Sequence, residues 1–359
     1  MSVLSSNLVR DIRSLPPPVW VLVCGQFINR FGSFVFPFLT LILSERDLAP
    51  LQISIVLGAM SAGHFMGPVA GGYLADAIGR RNTIVASLVG SSLSLAGLYF
   101  CRGPLLIALV AAVHGFLTFL FGPASSALLT DLVPEEKRLT AFALWRLAIN
   151  GGFAAGPAVA GLLFMHAPAL VFFGDALTTL VFALIAWRWL PHGLRTISGK
   201  TTSPRVAWQS WIAALADMRG NLPFLQFLFV VVFVGIAFNQ VFNVLALTAT
   251  DRGLSPSAYG RIMGLNGLVI VLLELPLTSW VRRYPVRRIL ATGYALIGLG
   301  CAVFGIARSS TGFALGMLVF TTGEILALPL GMAYSSNLAP RDLRGRYFGF
   351  RGMAWAVAG

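Results

Sequence analysis

The chain has 359 residues, of which 57% are hydrophobic and 11% are charged; soluble domains usually carry about 25% charged residues, so a soluble globular protein is excluded. The net charge is +13, but the basic residues lie in short loops between apolar runs and not on one soluble face, which argues against a nucleic-acid partner. The three cysteines, Cys24, Cys101 and Cys301, have neither disulfide nor metal-ligand spacing, so the sequence indicates no disulfide scaffold and no metal site.

Runs of about 20 apolar residues predict membrane-spanning helices. The N-terminus lacks the pattern of a cleavable signal peptide, so we expect the first run to be retained. The expected fold class is therefore an all-α membrane protein. The predicted spans, numbered 1 to 11, are residues 19–43, 53–75, 83–101, 105–129, 141–165, 170–190, 224–247, 262–281, 289–307, 313–337 and a last one beginning near Phe348.

The longest polar stretch, residues 191–221, predicts a cytoplasmic linker. It divides the chain into an N-terminal six-helix bundle, 1–190, and a C-terminal helix bundle, 222–359. Within the linker, residues 208–218 have the character of a short interfacial helix. The chain ends at Gly359 inside span 11, so we expect the C-terminal bundle to be incomplete.

The basic residues are distributed unequally between the two sides of the predicted bundle. The N-terminus, the loops after even-numbered spans and the edges of those loops carry 19 of the 26 Lys and Arg residues, whereas the opposite loops carry five. By the positive-inside rule, the N-terminus lies in the cytoplasm. We expect a multi-pass protein of the plasma membrane that works as a monomer in the lipid bilayer.

The two predicted bundles repeat one another in sequence. Four pairs of identical residues recur at a displacement of 206 positions, each on or beside a loop that follows an even-numbered span. The pairs are Pro123 and Pro329, Pro134 and Pro340, Arg138 and Arg344, and Phe142 and Phe348. Several matches at one displacement favour two parallel halves related by an axis along the membrane normal, an architecture found in transporters.

A glycine-bracketed charged motif follows span 2. It reads G-x-L-A-D-x-x-G-R-R and consists of Gly72, Leu74, Asp76, Gly79, Arg80 and Arg81. The pattern resembles the loop between helices 2 and 3 of the major facilitator superfamily, where it is assigned to gating. The resemblance implies two pseudo-symmetric six-helix halves, the second of which is incomplete here. From the residues themselves we expect a charged turn that serves as a cytoplasmic hinge, in which the aspartate and the arginines form an ion pair or act on the exposed ends of neighbouring helices. An ordinary polar turn is the alternative.

A second motif lies in span 5. It consists of Gly152, Gly156, Pro157 and Gly161 and resembles a signature of the drug/proton antiporters of the superfamily. Close helix packing is the alternative reading, because small residues at every fourth position let membrane helices touch. The arginine that is usual in span 4 of that branch is absent, with His114 in the corresponding region.

Polar side chains inside the spans are the candidates for chemistry, since an ionisable group in the membrane is costly and marks a function by default. Arg30, in the middle of span 1, is suited to hold an anionic substrate group or to neutralise a carboxylate between proton steps. The predicted substrate-cavity residues are Asn29, Arg30, Arg146, Asn150, Asn239, Gln240 and Asn243, and the predicted proton-coupling acids are Asp175, Glu274 and Glu324.

Glu324 is the strongest candidate for proton coupling, because residues 321–329 resemble the segment of span 10 in proton-coupled multidrug antiporters whose acid takes part in coupling. A permanently paired structural acid is the alternative. For Asp175 the alternative is a structural hydrogen-bonding role. For Glu274 the alternatives are that its side chain snorkels or that it pairs with the arginines at 282–283 near the end of span 8.

The resemblance implies a secondary active transporter that uses a proton gradient and no cofactor. The leading expectation is proton-driven efflux of small amphipathic or hydrophobic compounds by alternating access. The first alternative is a proton-coupled symporter for a sugar, a peptide or an organic anion; the second is a lipid-linked translocase or a non-transporting membrane protein. The sequence contains no catalytic triad and no phosphate-binding glycine loop in a soluble segment, so an enzyme is not indicated.

Overall fold

The computed structural model describes residues 10–44, 46, 48–166, 168–193, 204–243, 245–254 and 256–358. Within these ranges the chain forms helices, numbered here in chain order. They are α1 Pro17–Phe31, α2 Val35–Ser44, α3 Pro50–Ala77, α4 Arg80–Phe100, α5 Pro104–Leu132, α6 Glu135–His166, α7 Pro168–Trp189, α8 Pro204–Gly220, α9 Leu222–Asn243, α10 Leu245–Asp251, α11 Pro256–Val281, α12 Val286–Ile306, α13 Ser310–Leu338 and α14 Arg344–Val357.

Eight helices in the described ranges are long and apolar enough to cross a membrane, namely α3, α4, α5, α7, α9, α11, α12 and α13. Large apolar side chains such as Leu177, Phe229 and Ile306 are exposed on the surface. This is the arrangement expected where lipid surrounds the helices and their backbone groups bond internally. The expected all-α membrane fold is confirmed.

Span 1 is not the single helix that its sequence predicts. The chain leaves helical geometry after Phe31 and resumes it at Val35, so residues 19–43 form the two helices α1 and α2. The backbone amide of Val35 donates a hydrogen bond of 3.1 Å to Oδ2 of Asp175 in α7. The first amides of a helix have no partner within it, so this carboxylate satisfies a group that the break leaves unpaired. The prediction of an unbroken span was wrong because the residue that stabilises the break is distant in sequence.

The glycine-bracketed motif after span 2 is mostly helical, whereas the sequence predicts a turn along its whole length. Helix α3 continues to Ala77, and Ile78 and Gly79 alone reverse the chain before α4 begins at Arg80. Gly79 has a φ of 97°, which residues with a Cβ atom rarely adopt, so glycine is favoured at this position. Asp76 therefore lies on the end of one helix and Arg80 on the start of the next.

The sequence repeat reappears in the contacts of the folded chain. We call α1–α7 the N-terminal half and α9–α14 the C-terminal half. Arg46 and Arg252 are displaced by 206 positions, and each donates to three backbone carbonyl groups at the end of a helix. The acceptors are those of Leu98, Tyr99 and Cys101 for Arg46, and those of Phe304, Gly305 and Ala307 for Arg252. Each acceptor pair also differs by 206 positions, so the halves repeat in structure.

Close packing of α3 on α5 depends on glycine. A Cβ atom at Gly63, Gly67 or Gly71 would lie 2.2 to 2.7 Å from a backbone oxygen of α5. Small residues at these positions let the two backbones touch, as in other membrane helix pairs. The packing fixes α3, which carries Asp76, and α5, which carries part of the cavity wall.

Candidate functional site

Charged contacts between the halves close one end of the bundle. We call it the basic end, because it carries the arginine-rich loops after spans 2, 4, 8 and 10. Fully buried Asp76 forms an ion pair of 2.8 Å with Arg80 and lies 3.7 Å from Arg346. Its two oxygens also accept hydrogen bonds of 3.3 and 3.2 Å from the backbone amides of Gly345 and Arg346. The first turn of α14 thus binds a carboxylate of the other half, which the helix dipole favours.

Two further contacts at the basic end follow the repeat. The side chain of Arg344 lies 2.6 Å from Asp131, and that of Arg138 donates a hydrogen bond to Asn337. Arg138 is equivalent to Arg344, and Asp131 is equivalent to Asn337, at the displacement of 206 positions. The arginine of each half therefore contacts the equivalent residue of the other half.

The other predicted gate residues contribute in different ways. A Cβ atom at Gly72 would lie 2.4 Å from the carbonyl oxygen of Gly345, so a glycine lets α3 and α14 touch. The side chain of Arg81 contacts His192, in the segment that follows α7. Leu74 is half-buried on α3. Arg80 also donates a hydrogen bond of 3.5 Å to the backbone carbonyl of Arg341, just before α14. The motif thus joins the halves through its aspartate, its first glycine and its first arginine.

Helix α8 of the linker contacts both halves at the basic end. The ring of Trp211 lies 6.4 Å from that of Tyr73 on α3 and 5.5 Å from that of Phe350 on α14. The hydroxyl of Tyr347 donates a hydrogen bond of 2.5 Å to Asp217. Residues 194–203 of the predicted linker lie outside the described residues.

An arginine whose side chain is 11% exposed binds two carboxylates in the middle of the bundle. Arg146 of α6 makes a bidentate pair of 2.9 and 2.6 Å with Glu274 of α11. Its remaining nitrogen lies 2.9 Å from Glu324 of α13, whose other oxygen accepts a bond of 2.9 Å from Asn266. Glu274 is fully buried and Glu324 is 4% exposed. We call Arg146, Glu274 and Glu324 the charge cluster.

The charge cluster crosses between the halves, because its arginine belongs to the N-terminal half and both of its acids belong to the C-terminal half. When both acids are ionised, the cluster has one negative charge in excess, and one bound proton makes it neutral. The alternative that Glu274 pairs with the arginines at 282–283 was wrong, since its partner is Arg146. Arg282 pairs instead with Asp11 at 2.5 Å.

A cavity of about 340 Å³ lies between the halves, and we call it the central cavity. Arg30 and Arg146 line it from the N-terminal half and Arg351 lines it from the C-terminal half. No aspartate or glutamate of the described chain is part of its lining. A cavity with apolar walls and a few polar groups is typical of small-molecule sites. Its aromatic walls are Phe119, Phe121, Phe142, Trp145, Phe348 and Trp355.

A second cavity, of about 260 Å³, lies within the N-terminal half. Its polar lining includes Asn29, Asp175, His64 and His114, and Arg30 lines it as well as the central cavity. Asp175 attracts Arg30 electrostatically. The predicted acids therefore fall into two groups: two lie in the charge cluster, and Asp175 lies apart from them, where it caps α2.

Three other predicted substrate residues do not line either cavity. The amides of Asn150 and Asn239 each donate a bond of 3.0 Å to a backbone carbonyl one turn earlier in their own helices. Gln240 is exposed on α9. The side chain of Asn243 lies outside what the structure describes.

The glycines of the span 5 motif pack against α1. A Cβ atom at Gly152 would lie 2.7 Å from Cβ of Arg30, and one at Gly156 would lie 2.5 Å from a backbone oxygen of α1. Close helix packing therefore explains these two positions. They hold α6, which carries Arg146, against α1. The surroundings of Pro157 and Gly161 lie outside the described side chains.

Sequence reasoning missed several residues of the central cavity. They are Gln26, Trp145 and Arg351. Each has a buried side-chain atom without a hydrogen-bond partner in the described structure, namely Oε1 of Gln26, Nε1 of Trp145 and Nε of Arg351. No local motif distinguishes them, and Arg351 reads in sequence as one more charge beside a basic loop. Asp131 was also missed, although extending the repeat by one more pair would have matched it with Asn337.

Comparison with known proteins shows the family of the chain. The family model of the Major Facilitator Superfamily matches residues 22–359. The chain is 25% identical over 370 residues to a Na(+), Li(+), K(+)/H(+) antiporter of Planococcus maritimus, covering 94% of this chain and 85% of the relative. It is 24% identical over 345 residues to the multidrug resistance protein MdtH of Citrobacter koseri, covering 95% of this chain and 83% of the relative.

The fold is similar to the crystal structure of the human organic anion transporter MFSD10 (TETRAN), with a TM-score of 0.76 and 19% sequence identity over 96% of this chain and 92% of that chain. At this identity the similarity establishes the fold alone. The family model spans nearly the whole chain, and its members are transporters and not enzymes. The chain therefore belongs to the major facilitator superfamily of secondary transporters.

Proposed function

We propose that the protein is a proton-coupled exporter of small amphipathic or hydrophobic compounds. The observation that carries the proposal is the charge cluster, in which Arg146 of one half binds Glu274 and Glu324 of the other at 2.6 to 2.9 Å. A proton on either acid removes the charge that holds it to the arginine and so weakens a link between the halves. Proton binding and the relative movement of the halves are thereby coupled.

The name of one relative, an antiporter of alkali cations and protons, supports exchange against protons. The name of another, a multidrug resistance protein, supports drug-like compounds as substrates. The central cavity supports an amphipathic substrate, since six aromatic side chains and three arginines line it. Aromatic and apolar walls accept many shapes, whereas a few polar groups fix the orientation of the bound molecule.

From the positive-inside rule we infer that the basic end lies in the cytoplasm. A bundle that is closed there by Asp76 and the reciprocal arginine pairs corresponds to the outward-facing conformation of a plasma-membrane transporter. In the cycle that we propose, a proton from outside reaches the charge cluster, the contacts of the basic end separate, and the proton leaves to the cytoplasm. The substrate then binds from the cytoplasm, the basic end closes again, and the substrate leaves to the outside. We propose that a single chain carries out this cycle.

Flux in proteoliposomes tests the proposal. The purified protein is reconstituted with an imposed pH gradient, and the movement of three fluorescent amphipathic dyes, one anionic, one neutral and one cationic, is followed together with internal pH. We expect at least one dye to accumulate against its gradient while protons move the opposite way. Accumulation in the same direction as protons favours the symporter, and no movement of any dye favours a non-transporting protein.

Glu324→Gln identifies the acid that carries the coupling. The amide keeps the shape of the side chain and cannot release a proton, so gradient-driven accumulation should fail while exchange of dye for dye persists. The matched control is Glu136→Gln, which changes an exposed acid at the start of α6. Full uphill transport by the Glu324→Gln protein would remove this residue from the mechanism.

A further inference from the structure

The buried polar atoms of the central cavity that lack a hydrogen-bond partner in the described structure are mostly donors. Nε of Arg30, Nε of Arg351 and Nε1 of Trp145 are buried without a partner in the described structure. Guanidinium and indole groups have no acceptor capacity. The buried acceptor among the unpaired groups is Oε1 of Gln26, whose residue is 1% exposed. A molecule that satisfies this set must present mainly acceptors.

The charges of the cavity lead to the same conclusion. Arg146 is paired with two acids of the charge cluster, but Arg351 forms no ion pair in the described part of the chain. Arg30 lies over the ring of Phe153, at 5.3 Å. Its nearby acid, Asp175, uses an oxygen for the backbone amide at the start of α2 and forms no ion pair with it. Two arginines, one from each half, thus face one cavity without a carboxylate in its lining.

Burying such cations is costly unless an opposite charge joins them. An anion between two guanidinium groups removes that cost and also makes charge-assisted hydrogen bonds, for which the planar fork of arginine is suited. The aromatic walls of the cavity suit an apolar body, and a cavity of about 340 Å³ limits the bound molecule to a small one.

We propose that the central cavity binds an amphipathic organic anion, whose carboxylate or sulfonate group is held by Arg30 and Arg351 and whose apolar body packs on the aromatic walls. This inference rests on the proposed function in one respect, that transported compounds bind in this cavity. Because the two arginines belong to different halves, the bound anion links the halves as the charge cluster does.

Binding of three matched probes tests the inference without a gradient. The probes are 2-naphthoate, 2-naphthamide and 2-naphthylmethylammonium, which share one ring system and differ in charge. Each is titrated into the purified protein by isothermal titration calorimetry. We expect the naphthoate to bind at least about 10-fold more tightly than the naphthamide, since a charge-assisted hydrogen bond contributes about 1.5 to 3 kcal/mol. Equal affinities, a preference for the ammonium probe or no binding of the naphthoate would overturn the inference.

Variants locate the anion. Arg30→Gln and Arg351→Gln should each weaken naphthoate binding by about 10- to 100-fold and leave naphthamide binding within about twofold. Arg30→Lys and Arg351→Lys keep the charge and lose the fork, so their naphthoate affinities should fall between those of the wild type and the Gln variants. Arg287→Gln, at an exposed arginine near the start of α12, is the matched control and should bind as the wild type does. Unchanged naphthoate affinity in both Gln variants would show that the anion lies elsewhere.

The same titration separates this inference from the proposed function. Glu324→Gln removes negative charge beside the cavity, so it should bind the naphthoate at least as tightly as the wild type. If it does so while its gradient-driven flux remains normal, proton coupling by Glu324 is wrong and the anion site stands. If flux is lost in Glu324→Gln but the wild type prefers the naphthamide, the coupling stands and the anion site is wrong.

Discussion

Replacing Arg344 with Gln should open the basic end of the bundle. In the structure its side chain lies 2.6 Å from Asp131, and both side chains are largely buried. The pair joins α14 of the C-terminal half to α5 of the N-terminal half, so it exists only while the basic end is closed. The substitution therefore destabilises the closed conformation and leaves the open conformation unaffected.

The size of the effect follows from the contacts that are lost and kept. Breaking a hydrogen bond between charged groups costs about 1.5 to 3 kcal/mol, which lowers the ratio of closed to open molecules by about 10- to 150-fold. Asp131 keeps a second contact, at 3.3 Å to Arg80, so we expect the lower part of this range. The repeat supplies a matched control, because Arg138 makes the equivalent contact with the uncharged Asn337. Arg138→Gln leaves no buried carboxylate behind and should cost about 1 kcal/mol, or about fivefold.

Electron-electron double resonance between two spin labels measures this ratio. The labels are placed at Glu136→Cys and Arg283→Cys, which are exposed positions on the two halves at the basic end. The native cysteines at positions 24, 101 and 301 are first replaced by serine. We expect a short distance to dominate in the parent protein and a longer one to gain population in Arg344→Gln, with a smaller gain in Arg138→Gln. Unchanged distances in a folded Arg344→Gln protein, or a larger change in Arg138→Gln, would refute the reasoning.

Three further predictions have defined outcomes. Asp76→Asn removes a charge that binds the first turn of α14. The protein should insert and fold but transport about tenfold more slowly. A normal flux would contradict a gating role. Gly156→Ala places a Cβ atom 2.5 Å from a backbone oxygen. It should lower the unfolding temperature in detergent by an amount equivalent to about 2 kcal/mol. The control is Gly151→Ala, which should be tolerated because the new Cβ atom would lie 3.4 Å from the nearest atom, in the ring of Phe27. Arg46→Gln and Arg252→Gln each remove contacts to three carbonyl groups. The unfolding temperatures of the two variants should therefore fall by similar amounts. A large fall in one variant alone would mean that the two arginines do not have equivalent roles in the two halves.

The features that sequence reasoning captured are those with a local or periodic signal. Apolar runs of about 20 residues identify membrane helices regardless of tertiary context. The displacement of 206 positions indicated two related halves, and its last pair, Phe142 and Phe348, meet in the structure with ring centroids 6.1 Å apart. The break in span 1 gave no such signal, because Asp175, which satisfies the free amide there, lies 140 residues away from Val35.

The charge cluster was predicted as separate residues and not as a unit. Arg146 was assigned to the substrate cavity and the two acids to proton coupling, yet they bind one another across 128 and 178 positions of sequence. No spacing rule reports such a contact, since it depends on how two whole bundles face each other. The same reason explains why Gln26, Trp145 and Arg351 were overlooked, because each is unremarkable in its own helix and becomes informative only beside the others.

Infrared difference spectroscopy tests the central claim, that the charge cluster binds a proton, without knowledge of the substrate. Spectra of the protein in a lipid film are recorded in alkaline and then in acidic buffer, and the carbonyl band of protonated carboxylic acids is followed. We predict a band in the wild type that is lost or shifted in at least one of the variants Glu324→Gln and Glu274→Gln. The band should be retained in Asp175→Asn. The same band in both glutamate variants as in the wild type would contradict the assignment of the charge cluster as the proton site.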